Sequence, residues 1–395
     1  MLDVRKDFPL LERHPKLLYL DSACTSLKPK AVIEAEMSYY TGLGACGGRS
    51  SHRLGRKTGE MVDSAREKVA KFIRADADGL VWTRNATEAL NLVANALDYS
   101  KRRKVVTTTM EHHSVLLPFM KLRDRGAIRL EMLPCDDVGK VGLDKWAAAA
   151  DRETALLVTH NWNNTTGTGQ DSERIAKIAH DCGALACIDG AQGVPHHKAD
   201  CRNLDFLCFS AHKMLGPTGI GALVTKKEHL RMLNPLVIGG GSVKSVSIDN
   251  VVPLDGFAGF EAGVQHYAGI AGFAAACDYL DRMGMDNVEA HEKALAEAML
   301  KALEGAEANV LGPKTSERHG ALFSFNFKNA KAHDVALMLD KEDIALRSGF
   351  FCAQPAMEAL GAKDGAARAS GYVYNNLEDV KRFGDALIRI KQLYD

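Results

Sequence analysis

At 395 residues the chain exceeds the roughly 100–200 residues usual for one domain, so two domains, or one large α/β unit with an appendage, are expected. Lysine plus arginine and aspartate plus glutamate each number 50, a balance that offers no electrostatic footprint for nucleic acid or an anionic membrane surface. There is no apolar signal core and no bilayer-long apolar run, and the nine cysteines are odd in number and scattered; this points to a cytoplasmic protein without a membrane span or a disulfide framework.

From about Val81 to Val224, short apolar runs alternate with helical patterns. GLVWT, KVVTTT, IRLEML, ALLVTH, ALACID, FLCFSA and GALVT read as strands, with amphipathic helices such as EALNLVANAL and SERIAKIAHDCG between them. The alternation predicts an α/β fold with a mostly parallel sheet flanked by helices, and a ligand beyond the carboxyl ends of the strands. Around Pro253–Gly263 the pattern breaks with glycine and proline. A long helix follows over Ala268–Met283, then a helix over Val288–Leu303, a strand ALFSFNF and a helix from His333. A large domain over residues 15–264 and a smaller α+β domain over 265–395 are expected, with residues 1–14 packing on the smaller one.

The strand ALACID ends in Asp189, and one strand later comes Ser210-Ala211-His212-Lys213. A carboxylate beyond one strand end and a lysine beyond the next can converge on one crevice, an arrangement that suits pyridoxal phosphate: the lysine binds the aldehyde and the carboxylate keeps the pyridine nitrogen protonated. In TRNATEALNLVANAL a short polar turn opens a helix whose first amides, at Asn85, Ala86 and Thr87, are donors suited to a phosphate. His112, in MEHHSV, offers a flat ring for stacking. Alone, each element has a plain alternative. The lysine would be a solvated charge, Asp-Gly a turn, Asn-Ala-Thr-Glu a helix cap, and the histidines surface or core residues. Metal ligation by His112 and His113 is disfavoured because neighbouring strand residues face opposite ways, and no C-x-x-C spacing supports a metal. All four elements in this order are hard to produce by accident.

The segments YLDSACTSLKP, TRNATEALNLVA, MEHHSV, IDGAQGVPHH, FSAHKMLGPTGIG, FEAG, LRSGFFCAQP and ARASGYVYN span about residues 19–376. In this order the chain resembles the class V, fold-type I pyridoxal-phosphate enzymes, and among them the cysteine desulfurases and selenocysteine lyases of the SufS type. The resemblance implies that Lys213 carries the cofactor, Asp189 pairs with its ring nitrogen, Gln192 meets the ring hydroxyl, and His112 stacks over the ring. It further implies that Ser210, His212 and Thr87 bind the phosphate with the helix amides, and that Arg368 clamps the substrate carboxylate with help from Asn164. An extra residue in NWNNTTGT leaves Asn161 and Asn163 as alternatives.

Cys352 selects the reaction. It stands in RSGFFCAQP near Arg347, entering a helix, a setting that favours the nucleophilic thiolate; the plain alternative is a partly buried thiol between Phe351 and Ala353. In the resembling family this position forms the persulfide, which implies sulfur removal from L-cysteine and transfer to a SufE- or SufU-like protein or a scaffold. Iron–sulfur cluster assembly and tRNA thiolation are both open as destinations, and a homodimer is expected. Other class V activities (selenocysteine lyase, aminotransferase, epimerase) and a silent sulfur-relay scaffold are the alternatives. The chain departs from the family at Phe350-Phe351, where His-His is usual and where the change predicts a drier neighbourhood. It also departs at Ala86 and Val264, where phosphate-binding hydroxyls are usual, and at Cys24 and Cys46, which are extra thiols in two segments that border the family's active site.

Overall fold

The computed structural model describes residues 1–48 and 50–394. Strand β1 (Leu18–Tyr19) precedes the seven strands of the main sheet. These are β2 (Leu80–Thr83), β3 (Lys104–Thr108), β4 (Arg129–Leu133), β5 (Thr154–His160), β6 (Leu185–Asp189), β7 (Phe206–Ser210) and β8 (Gly221–Thr225), which fall where the sequence places them. They lie in the order β2-β8-β7-β6-β5-β3-β4.

Pairs β7-β6, β6-β5, β5-β3 and β3-β4 are parallel, whereas β8 runs antiparallel to both of its neighbours. The reason is the link 211–220, too short for the helical crossover that a parallel return needs. Strands β7 and β8 are buried along their whole length, as expected of a sheet covered on both faces. Edge strand β4 instead exposes Arg129 and Glu131.

After the hairpin β9 (Val243–Val246) and β10 (Val251–Pro253), strands β11 (Asn309–Leu311), β12 (Leu322–Asn326), β13 (Ile344–Ala345), β14 (Arg347–Gly349) and β15 (Ala366–Ser370) follow. A second, four-stranded antiparallel sheet has the order β11-β12-β15-β14. Its core holds Phe323, Phe325 and Phe383, together with Leu18 and Leu20 from the N-terminal part of the chain. Leu18 and Leu20 are buried there because β1 pairs in parallel with β13, which brings residues beyond position 15 into this second core.

The helix Tyr267–Met283, expected to open the smaller unit, instead gives Ile270, Phe273, Cys277 and Leu280 to the core of the main sheet. Phe273 meets both Trp82 and Phe209. Residues 1–14 touch both units. Arg5 pairs with Asp379 at 3.1 Å, while Phe8 and Leu11 enter the main core.

The Gly/Pro-rich break thus serves the main sheet, and Glu261 is its anchor. The Glu261 carboxylate accepts two 2.8 Å bonds from Arg66 and another from Trp82 N–H, with both side chains of the ion pair buried. Phe257 covers the guanidinium at 3.8 Å. This pins residues 256–261 against β2, immediately before the turn at Asn85. Burial pushes the Glu261 carboxyl up and Arg66 pulls it back. Removing one partner leaves an uncompensated buried charge, so Arg66→Ala is expected to cost about 3–5 kcal/mol of stability in equilibrium denaturation.

Candidate active site

The carboxyl ends of β6 and β7 and the start of the helix Ala86–Ala96 converge on a cavity of about 220 Å³. Asp189 closes β6 and is buried; its Oδ1 accepts the Ala191 N–H at 3.0 Å. Lys213 ends a single 3₁₀ turn, Ala211–Lys213, after β7. Its Nζ has no hydrogen bond or ion pair among the described residues. Burial pushes the Asp189 carboxyl up and the Lys213 amine down, and the attraction between the two opposes both shifts.

At the helix start, Asn85 caps with its side chain, accepting the Glu88 N–H at 3.0 Å. Ala86 N–H donates to Ser210 Oγ at 2.8 Å, tying this turn to the end of β7. The Thr87 N–H has no partner among the described residues, and Thr87 lines the cavity. So close an approach requires Gly221, where a Cβ would stand 2.6 Å from Phe209 O and 2.8 Å from Asn85 Cα.

Thr87 Oγ1 meets Ser114 Oγ at 2.6 Å, and Ser114 donates its N–H (3.1 Å) and its hydroxyl (2.9 Å) to His112 Nδ1. This leaves the ring proton of His112 on Nε2. Burial, reinforced by the charge of Lys213, lowers the His112 pKa to about 3. His212 is lowered to about 4, by burial and then by Lys213. Gln192 lines the cavity and donates to Ala23 O at 2.9 Å.

Arg368, on β15, is buried; its Nη1 donates to Asn164 O at 2.9 Å, and its Nε has no partner. Burial lowers its pKa to about 10, against the pull of Asp21. Of the three asparagines, Asn164 lines the cavity and donates to Phe351 O at 2.9 Å. Asn163 turns to Met110 O at 2.8 Å, and Asn161 is absent from the lining.

Cys352 lines the same cavity and is exposed to solvent, whereas its neighbours Phe351 and Ala353 are buried. The dry neighbourhood expected from Phe350-Phe351 therefore stops short of the thiol: the Phe351 ring is spent covering the Arg368 guanidinium at 4.7 Å. Phe351 and Cys352 both take left-handed backbone, φ +53° and +54°, which β-carbon-bearing residues disfavour. Cys352 O accepts the His113 N–H at 2.7 Å, which holds the strained pair against the His112 turn.

Cys24 lines the cavity too; Cys46 is exposed and outside it. Val264 stands three-quarters exposed, away from the cavity of its own chain.

Three partners escaped the reading of the sequence. Asp21 pairs with Arg347 at 3.3 Å and Arg368 at 3.5 Å, so a carboxylate already balances the two cations. Glu111, fully buried, accepts from Thr108, Thr159, the His160 N–H and His160 Nδ1. His160 lies in register with Asp189 on the neighbouring strand and lines the cavity. Asp21 and Glu111 do stand inside the quoted YLDSAC and MEHHSV segments. Their partners lie far along the chain, and no local spacing reveals them.

The residues present suit pyridoxal phosphate: a free buried amine for its aldehyde, a buried carboxylate for its ring nitrogen, and an unpaired amide at a helix start for its phosphate. The sequence profile described as Aminotransferase class-V matches residues 18–383. A probable cysteine desulfurase of Pyrococcus abyssi is 38% identical over 386 residues, covering 96% of this chain and 95% of its own. The apo structure of the cysteine desulfurase of Thermococcus onnurineus superposes with a TM-score of 0.95 at 36% identity, over 99% of this chain and 98% of that one. That of the Escherichia coli cysteine desulfurase CsdA gives 0.90 at 32%, over the same shares. The chain belongs to the class V aminotransferases, a pyridoxal-phosphate family, and within them to the cysteine desulfurase group.

The depressed His112 makes the cofactor-free protein acid-sensitive. The unfolded chain takes up the proton near the ordinary value of 6.5 and the folded chain only near 3, so stability falls as pH drops between these values and is flat above them. Denaturation of the cofactor-free protein across this window should show a shallower acid slope in His112→Gln than in the wild type.

Proposed function

We propose that the protein is a SufS-type cysteine desulfurase that takes sulfur from L-cysteine, leaving L-alanine and a persulfide on Cys352. The observation that carries this reading is the presence of Lys213, Arg368 and Cys352 on the wall of one cavity. Pyridoxal phosphate, when bound, supplies the sink for the electron pair released at the substrate Cα.

The chain does the rest. Asp189, kept from water, holds the ring nitrogen charged. His112, neutral at working pH and proton-bearing at Nε2, presents a flat face without adding charge beside Lys213. Arg368 receives the substrate carboxylate, with its unpaired Nε completing a fork that Asn164 braces. Lys213, lowered by burial, serves as the base that removes the Cα proton. The thiolate of Cys352 attacks the substrate sulfur; the S–Sγ bond forms as the Cβ–S bond breaks, and the product carbon takes up protons to become alanine.

Solvent exposure of Cys352 supports delivery of the persulfide to a protein acceptor, of SufE- or SufU-like or scaffold type. A homodimer is part of the proposal. The hairpin β9–β10 exposes Val246, Ile248 and Val251, apolar surface that a second copy would cover. Val264, a phosphate position by resemblance but outside its own cavity, would then reach that of the other copy. Among the described residues no helix is long and apolar enough to cross a membrane, and we place the activity in the cytoplasm.

The refolded wild type should be yellow with cofactor, and Lys213→Ala should lose its visible absorbance on dialysis; a wild type that stays colourless with pyridoxal phosphate would overturn the reading. Cys352→Ala should still bind cysteine, seen as a change in the cofactor spectrum, while alanine and sulfur release fall to background. Release at the wild-type rate would exclude the persulfide. Arg368→Ala, losing charge-assisted bonds worth about 1.5–3 kcal/mol, should raise KM for cysteine roughly 10- to 100-fold.

A further inference from the structure

Two of the nine cysteines line the active-site cavity, Cys352 and Cys24, and the mechanism above uses only the first. Cys24 is one of the two extra thiols by which this chain departs from the resembling family. It is half-buried in a turn closed by its own N–H on Asp21 O at 3.1 Å.

Hydrogen bonds on both sides hold the turn against the cavity. Ala23 O accepts from Gln192 and Ala23 N–H donates to Ser370 Oγ, both at 2.9 Å, while Ser26 N–H donates to His212 O at 2.9 Å. Cys24 is thus clamped from both sides by residues of the cofactor site. Lys213 stands on the wall of the same cavity as both thiols. The buried, unpartnered Nε of Arg368 belongs to the same cavity. Cys46, the other added thiol, has none of these contacts with the site.

We propose that Cys24 is a second sulfur carrier, which receives the terminal sulfur of the Cys352 persulfide inside the cavity. The proposal rests on the persulfide reading of Cys352. Cys24 thiolate attacks the outer sulfur; the Cys24 Sγ–S bond forms, the Cys352 Sγ–S bond breaks, and Cys352 leaves as thiolate. The proton stays on the transferred sulfur, and the exchange is redox-neutral, so no oxidant or reductant is needed. Cys352 is regenerated before an acceptor arrives, and one chain stores two sulfur atoms instead of one. The cations on the cavity wall, Lys213, Arg347 and Arg368, suit a carrier that is anionic before and after the exchange.

The test uses the holoenzyme, excess L-cysteine, and no reductant or acceptor, with rapid quenching into an alkylating agent. The alanine burst and the persulfide-bearing peptides are then measured. Cys24→Ala is the comparison variant. The wild-type burst should be twofold that of Cys24→Ala, with alkylated persulfide on both the Cys24 and Cys352 peptides. In Cys352→Ala the Cys24 peptide should carry none. Equal bursts with persulfide on Cys352 alone would overturn the relay and leave the desulfurase reading intact. A Cys24–Cys352 disulfide appearing with one free sulfide per event would also overturn it, since attack would then fall on the inner sulfur. Persulfide on neither peptide, with sulfide still released by Cys352→Ala, would instead overturn the reading on which the proposal rests.

Discussion

The site depends on keeping two opposite charges close, poorly hydrated and unpaired. Asp189 and Lys213 attract each other against the cost of burial, which outweighs that attraction on both, and no ion pair joins them among the described residues. A direct pair would satisfy both groups and leave nothing to bind a cofactor. The sheet enforces the separation. Asp189 is fixed opposite Cys208 by the parallel β6–β7 register, and the 3₁₀ turn after β7 places Lys213 beyond the strand end. The antiparallel return through β8 then brings Gly221 under Asn85, which seats the turn at the helix start beside that lysine. Strand order, turn and helix start all serve one placement of charge.

Much of this is legible in the chain because it is local. Fully buried strands announce themselves as unbroken apolar runs, and Asn85 and Ser210 sit at element ends that the same runs define. Asp189, Lys213 and the helix start could therefore be placed before any contact was known. What stays hidden depends on contacts across the chain. The Ala/Gly-rich helix Tyr267–Met283 reads as the start of a new unit, and only its packing on Trp82 and Phe209 joins it to the main sheet. Asp21 looks like an ordinary strand-end carboxylate until Arg347 and Arg368, aligned opposite each other on β14 and β15, converge on it. Glu111 is likewise silent until β5 brings Thr159 and His160 to its carboxylate. The choice among Asn161, Asn163 and Asn164 turns on the path of one loop, which an extra residue makes unreadable from spacing.

The substitution of Phe350-Phe351 for two histidines acquires a physical sense from the same contacts. An imidazole at position 351 could have taken a proton beside Arg368 and added a third cation to Arg347 and Arg368. A phenyl ring cannot, and its face attracts the guanidinium instead. The backbone of Phe351 meanwhile accepts the Asn164 amide, and Asn164 O accepts from Arg368. Arg368, Asn164 and Phe351 therefore form a closed loop of contacts, with Cys352 as the next residue.

In the mechanism proposed above, that loop ties Cys352, as nucleophile, to Arg368, as the group that receives the substrate carboxylate. The two left-handed residues Phe351 and Cys352 would relax toward ordinary backbone if released, and what opposes relaxation is this loop together with the His113 N–H on Cys352 O. A carboxylate arriving at Arg368 competes with Asp21 for the guanidinium but not with Asn164, whose bond is made through its backbone oxygen to a different nitrogen, Nη1 rather than Nη2. Under the proposed mechanism substrate can therefore exchange with Asp21 while the brace on Phe351 stays in place, since Asn164 and Asp21 meet different nitrogens of Arg368. Exposure alone would make Cys352 an indiscriminate surface thiol; the brace ties its placement to Arg368.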